Sequence, residues 1–555
     1  MNSSRVDKYA LDKAANFAKQ GAWEEAYQAY ALADHGASLD AGHLDAFATA
    51  AYMSGREPEY AAILERAFQA YSNEGLPKQA ARAAFWNGLT SIFRGEHGRG
   101  SGWLARSAGI VQGLSPDCAE RGYILLPQVE GAFAAGDLAK ADRIASQAMQ
   151  IGERCGDADL TELARHLVGR ARIAAGAMRD GITMLDQTML AATQRQLSPI
   201  VTGLLYCSVI EAYQRFVVLD RAREWTHALT DWCGEQPELV AFTGRCLVHR
   251  SEILLFDGKW PEAAIEASAA CLKFGADTQS RHAGTAHYQK GEVLRLSGRF
   301  DEADASYRAA SALGVNPQPG LALMSLSQGQ MASAWAGIRR GLAGVTAAPA
   351  RMRLLPAAVE IALAAGEIDQ AEALCAEMDE LIAAFGSDAS IASAAEAWGD
   401  LHLARGMIDT ALQDYEKAAA LWQQLEAPYQ LARARLKKGR VCNVLGDEFG
   451  ARSDAEAARD GFRALGAEPD RRAAEAVLRQ LDPKEPALLT PRQTEVLRYV
   501  VRGLTNREIA AQLDLSERTV DRHVSDILVR IDAPTRAAAS AFAVGHGLIS
   551  PKEIG

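Results

Sequence analysis

A glycine followed five positions later by alanine returns along this chain at nearly constant spacing. It reads GAWEEA from Gly21, GDLAKA from Gly136, GKWPEA from Gly258, GRFDEA from Gly298, GQMASA from Gly329, GEIDQA from Gly366, GMIDTA from Gly406 and GDEFGA from Gly446. Looser copies begin at Gly55, Gly95 and Gly176, and one without glycine, VVLDRA, begins at Val217. Eight of the eleven intervals between these twelve starts are 40 or 41 residues. A beat of this length means stacked copies of one small unit, because a single copy buries too little apolar surface to stand alone.

Each copy reads as a helical hairpin. The glycine lets the chain leave one helix in a left-handed conformation. The small alanine then allows the next helix to pack closely against the last. An apolar residue two after the glycine (Trp23, Leu138, Trp260, Phe300, Ile368, Ile408) is expected between neighbouring hairpins. These units resemble tetratricopeptide repeats of somewhat long period over roughly residues 5–465. The resemblance implies an all-α fold, a solenoid of about twelve hairpins over residues 5–481. It says little about function, since such solenoids bind proteins, peptides or occasionally small ligands.

With 555 residues the chain is too long for one hydrophobic core, and a repeat array resolves that difficulty. Hydrophobic residues at 48% and charged ones at 23% fit an ordered protein. The N-terminus carries scattered charges and no apolar core of a signal peptide, and no apolar run is long enough to span a bilayer. The eight cysteines form no CxxC pair and read as small buried hydrophobes, with no metal site expected. A cytoplasmic protein is the expectation.

One block departs from the beat, residues 198–233 followed by GRCLVHRSEILLFDGKWPEA. It looks like a segment in the repeat regions of bacterial LuxR-type regulators. Tyr206, Glu211, Tyr213, Trp225, Trp232, His249 and Arg250 mix aromatic and charged side chains there. Two readings stand: an effector-binding concavity, or inter-repeat packing with ion pairs of Glu211 or Glu252 to an arginine.

After the last repeat, DPKEPA places two prolines among charges, which favours an extended linker over residues 482–487. A separate domain is expected over residues 488–555, and its helices announce themselves through caps. Thr490-Pro491-Arg492-Gln493 and Thr505-Asn506-Arg507-Glu508 are capping boxes, and Ser516 opens a third helix after a short turn. A fourth helix follows Ala533-Pro534. The two middle helices so joined fit a helix-turn-helix. Val520, Val524, Ile527 and Ile531 form one apolar stripe, which turns Arg518, Arg522, Ser525 and Val529 outward, with Asp521 beside them.

From Leu489 to Ile549 the sequence resembles the LuxR-type (GerE-type) DNA-binding domain along its whole length. The match includes Leu489, Thr490, Arg492, Glu495, Gly503, Asn506, Glu508, Ile509, Ser516, Thr519, Val520, His523, Ile527 and Arg536. A recognition helix offers its exposed side chains to base edges. Arg522 suits guanine, Asp521 suits the cytosine amino group and Ser525 is permissive. Thr505, Asn506, Arg507, Arg518 and Thr519 are expected at phosphates, and the resemblance implies the same for His523. It also implies a homodimer through the fourth helix, with Ala537, Ala541, Val544 and Leu548 along the seam.

The tail departs from the family pattern at Asp521, where lysine is frequent, and at Ser525, which is often basic. Residues 487–555 carry nine Lys and Arg against eight Asp and Glu, so one copy should hold DNA weakly. Large regulators of this type often carry an ATPase module. No GxxxxGK[ST] occurs here, and the repeats beginning near residue 1 leave no room for one. No catalytic constellation or cofactor motif is evident, and an enzyme is not expected. The leading reading is a transcriptional regulator whose solenoid senses a protein, peptide or small-molecule effector. The alternative is an interaction scaffold with a secondary DNA-binding tail.

Overall fold

A computed structural model describes residues 3–36, 38–236, 239–274, 281–481 and 489–545. The expected linker 482–487 and the expected seam residue Leu548 lie outside these. Every regular element among the described residues is a helix. The chain divides into two compact units, Met1–Val477 and Leu478–Gly555.

The first unit is a stack of helical hairpins, from Ser3–Lys19 paired with Trp23–Gly36 to Pro428–Leu445 paired with Glu448–Leu465. The all-α solenoid expected from the beat is what forms. All twelve starts are left-handed, the eleven glycines at φ between 72° and 89° and Val217 at 58°. Valine there is strained, because a branched Cβ crowds the backbone in that region. Its carbonyl is anchored instead, accepting from Ser387 Oγ at 2.8 Å. The alanines five later, Ala26, Ala141, Ala263, Ala303, Ala334, Ala371, Ala411 and Ala451, are all fully buried. In two looser copies Gly100 and Gly181 take that place, where a Cβ would lie 2.6 and 2.4 Å from the side chains of Ile92 and Ile173. Eleven of the twelve copies thus place glycine or alanine there, while the looser copy from Gly55 buries Tyr60 instead.

The apolar residues after the hinge grade from buried Trp23 and Trp260 to half-buried Leu138, Phe300, Ile368 and Ile408. The short 31-residue interval after Gly298 also has a cause. Its second hairpin opens with Gly320–Ser327, a helix of only 8 residues.

The stack coils back on itself within this unit. Trp23 Nε1 donates to Gln236 Oε1 at 2.8 Å, and the Val240 and Ala241 amides share the Met53 carbonyl at 3.1 Å. Further along, Arg223 donates to the Leu425 carbonyl at 3.1 Å, and the rings of Trp260 and Tyr429 lie 5.4 Å apart. Such contacts join residues 169 to 213 apart, so a superhelical turn takes four to five hairpins. At Gly258 the hinge and this inter-turn contact coincide, since a Cβ would lie 2.7 Å from both Pro428 and Leu465.

Candidate nucleic-acid interface and a cavity in the solenoid

Four helices build the second unit's described core: α1 (Pro491–Val501), α2 (Asn506–Leu513), α3 (Glu517–Arg530) and α4 (Arg536–Gly545). Thr490 and Thr505 each close a reciprocal capping box, with the Thr490 amide donating to Gln493 Oε1 at 2.9 Å and the Thr505 amide to Glu508 Oε2 at 2.7 Å. The bond from Thr505 holds the Glu508 carboxyl below its ordinary range. Asp514 ends α2 in the left-handed region at φ 51°, and Ser516 caps α3 by accepting from the Thr519 amide at 3.1 Å. Arg492 donates to the Leu513 carbonyl at 2.9 Å and so fastens α1 to the turn.

These caps fix the rotation of α3. Val520, Val524, Ile527 and Ile531 are buried with Val496, Leu497, Val500 and Ile509. Arg518, Arg522 and Ser525 face outward, as does Val529, which is 81% exposed. Neither Arg518 nor Arg522 is ion-paired among the described residues. His523 and Thr519 are half-buried at the stripe's edge, and Thr519 Oγ1 lies 2.6 Å from Ser516 Oγ.

Two of the residues expected at DNA have partners within the domain. The Asp521 carboxylate accepts from the Asn506 carboxamide, and Asn506 Oδ1 accepts in turn from Arg536. Arg536 also donates to the Leu504 carbonyl at 2.6 Å, and its own burial draws its pKa down while Asp521 opposes that. Asp521 is thus engaged within the domain, and the Asn506 side chain is equally engaged. The cause is tertiary: packing α2 on α3 sets the start of one beside the first turn of the other. The Thr505 hydroxyl is used as well, donating to Glu508 at 2.8 Å. What α2 offers outward is its first-turn amides and exposed Arg507. On α4, Ala537 and Ala541 are exposed and Val544 half-buried, while Ala539 and Ala543 fill the domain core.

The expected effector residues of the first unit do not converge on a cavity. Tyr206, Tyr213, Trp225 and His249 are buried. Tyr213 donates to Asp186 at 2.7 Å, Trp225 Nε1 to the same carboxylate at 3.2 Å, and Tyr206 packs its ring 5.8 Å from that of Trp232. His249 Nδ1 meets Gln214 Oε1 at 2.6 Å, Glu211 pairs with Arg245 at 2.9 Å, and Arg250 pairs with Glu266 at 2.6 Å. These contacts, made within a hairpin or between neighbouring ones, match the packing alternative, although His249 Nε2 is buried without a hydrogen-bond partner among the described residues.

A cavity of about 330 Å³ lies elsewhere in this unit, between hairpins brought together by the coiling. Its walls include Gln214, Glu252, Phe256, Arg353, Glu360, Glu396, Asp400, Trp422, Gln430, Arg433 and Lys437. Sequence reading missed these residues, apart from naming Glu252 as an ion-pair candidate. They are spread over more than two hundred positions, and no local motif joins them.

Comparison with known proteins places the tail. Residues 487–543 match the family described as bacterial regulatory proteins, luxR family. The regulatory protein YhcZ of Bacillus subtilis is 43% identical over 60 residues, 11% of this chain and 28% of its own. The transcriptional activator SolR of Ralstonia solanacearum is 41% identical over 70 residues, 13% and 30%. The response regulator VraR of Staphylococcus aureus is 37% identical over 62 residues, 11% and 30%. The chain thus spans under a third of the length of these relatives. Its second unit is a LuxR-family DNA-binding regulator domain. The APC/C Cut9–Hcn1 hetero-tetramer aligns over 86% of this chain and 96% of its own at 11% identity, with a TM-score of 0.34, too loose a likeness to bear on the fold. No helix among the described residues is long and apolar enough to cross a membrane.

Proposed function

We propose that this protein is a transcriptional regulator that binds promoter DNA through α3 and whose solenoid governs that binding in response to an effector. The observation that carries the reading is the outward face of α3, with Arg518 and Arg522 unpaired and one turn apart on a helix whose other face is locked into a core. Laid in the major groove, Arg522 reaches guanine O6 and N7, and Ser525 accepts or donates beside it. Arg518, Thr519 and His523 at the edges of that face, together with Arg507 and the first-turn amides of α2, contact phosphates. Asp521 takes a positioning role: through Asn506 it steadies the Arg536 side chain between α2 and α4.

With nine cations against eight anions over residues 487–555, one domain neutralises few phosphates. Two domains on a two-fold operator double that number, and the exposed Ala537 and Ala541 of α4 supply a small-residue seam for pairing them. The test is a gel shift with operator fragments enriched from a random library. Arg522→Ala is expected to weaken specific binding by roughly 1–3 kcal/mol, five- to 150-fold, while leaving nonspecific binding near its starting value. Undiminished specific binding by that variant refutes the base contact.

A further inference from the structure

The cavity in the solenoid has an unbalanced wall. Four carboxylates line it, those of Glu252, Glu360, Glu396 and Asp400, against three cations, Arg353, Arg433 and Lys437. Arg353 is committed to Glu252 at 2.9 Å and Arg433 to Glu360 at 2.7 Å. Lys437 is shared, 3.0 Å from Glu396 and 2.7 Å from Asp400. One ammonium between two carboxylates leaves a surplus negative charge facing the cavity. Neighbouring groups do not restore the balance. Arg295 is held by Glu292 at 2.8 Å, and Asp470, which accepts from Tyr429 at 3.1 Å, adds another carboxyl. Asp400 accepts from Lys437 and from the Tyr415 hydroxyl, each at 2.7 Å, while burial raises its pKa.

Two further features point the same way. Gln430 Oε1 is a buried acceptor with no donor, and an unmet buried acceptor is costly unless something supplies a proton. The rings of Trp422 and Phe256, 6.4 Å apart, line the same space, and aromatic faces attract cations. An anion finds the opposite: both guanidinium groups are already occupied. We infer that this cavity binds a small organic cation bearing ammonium or guanidinium groups, held by the Glu396–Asp400 pair, the Gln430 carbonyl oxygen and the two aromatic rings.

The inference names an effector class for the proposed regulator and rests on that reading only for its biological consequence, because ligand binding is measured without DNA. Isothermal titration calorimetry of the full chain with putrescine and agmatine, against 1,4-butanediol and succinate as neutral and anionic controls, tests it. Saturable binding of at least one cation and of neither control is expected. Asp400→Asn should weaken binding by roughly ten- to hundredfold, and Gln430→Leu by roughly tenfold, each with an unchanged circular dichroism spectrum. If Asp400→Asn does not fold, Gln430→Leu decides. No saturable heat with either cation, binding of the diol or succinate equal to theirs, or wild-type affinity in folded variants overturns the inference. A protein that shifts operator DNA yet binds no cation refutes this inference alone, whereas one that binds the cation but no DNA refutes the regulator reading alone.

Discussion

Replacing Asp521 with lysine separates the electrostatics of the DNA-facing helix from its packing. The residue is exposed beside Arg522, and its only described hydrogen bond is the one from Asn506. Asp521→Lys changes the balance over residues 487–555 from nine cations against eight anions to ten against seven. If the new ammonium reaches a phosphate, binding gains one released counterion, and the slope of log K against log salt steepens by about 0.9. At 0.1 M salt that single contact is worth roughly eightfold in nonspecific affinity. Asp521→Asn is the control, because it removes the repulsive charge yet keeps a carbonyl oxygen for Asn506. Its affinity should rise less, with the slope unchanged. Fluorescence anisotropy with a mixed-sequence duplex from 50 to 200 mM salt reads both quantities. The melting transition should stay nearly in place, since the broken bond is solvent-facing. An Asp521→Lys variant with unaltered affinity and slope would show that this face of α3 does not lie against DNA.

Three other outcomes follow from the first unit's packing and the base contact. Ala263→Leu forces a larger side chain into a fully buried contact between Thr243–Phe256 and Trp260–Phe274, where Ser251 Oγ donates to the Ala263 carbonyl at 2.8 Å. It should cost about 1–3 kcal/mol in urea denaturation, and a neutral result would undo the close-packing account of the beat. Burial holds the pKa of His166 down to about 3 and that of His249 to about 4, below the ordinary value near 6.5. The folded chain therefore binds fewer protons than the unfolded one in that window. Stability is complete above about pH 6.5 and is lost as pH falls toward 4, by up to about 2 kcal/mol per histidine at pH 5. His166→Gln should flatten that dependence in thermal melts at pH 7.5 and 5, and an unchanged slope would count against the burial argument. The gel shift with Arg522→Ala should retain a nonspecific ladder while the operator band weakens, and loss of both would make Arg522 a phosphate contact instead.

The legible parts of this molecule obey short-range rules. A glycine leaving a helix at positive φ, a small residue five later and a threonine three before glutamine or glutamate each act within one turn of chain. All twelve hinges and both capping boxes were readable for that reason. Even Val217, which breaks the glycine rule, kept its place because the flanking beat fixed where the turn must fall. The outward face of α3 was readable from its period, since the four buried positions dictate which side remains.

Reading side chains by type does not reveal partners that come from other elements. Tyr213, Trp225 and His249 look like a binding cluster in sequence, yet Asp186 accepts from the first two and Gln214 meets one ring nitrogen of the third, all from neighbouring helices. Asp521, expected at a base edge, has Asn506 of α2 as a hydrogen-bond partner that its own helix does not foretell. The cavity was invisible altogether, because it depends on the small rotation each hairpin adds to the last. Summed over successive hairpins, that rotation brings Arg353 opposite Glu252, 101 residues away, and Ser387 onto Val217, 170 residues away. By itself the sequence determined the hairpin, its hinge, its beat and the exposed stripe of α3, all set by local sterics and helical period. Only the tertiary structure decided which distant charges face one another, because a coil's pitch accumulates from many packing angles that no single repeat records.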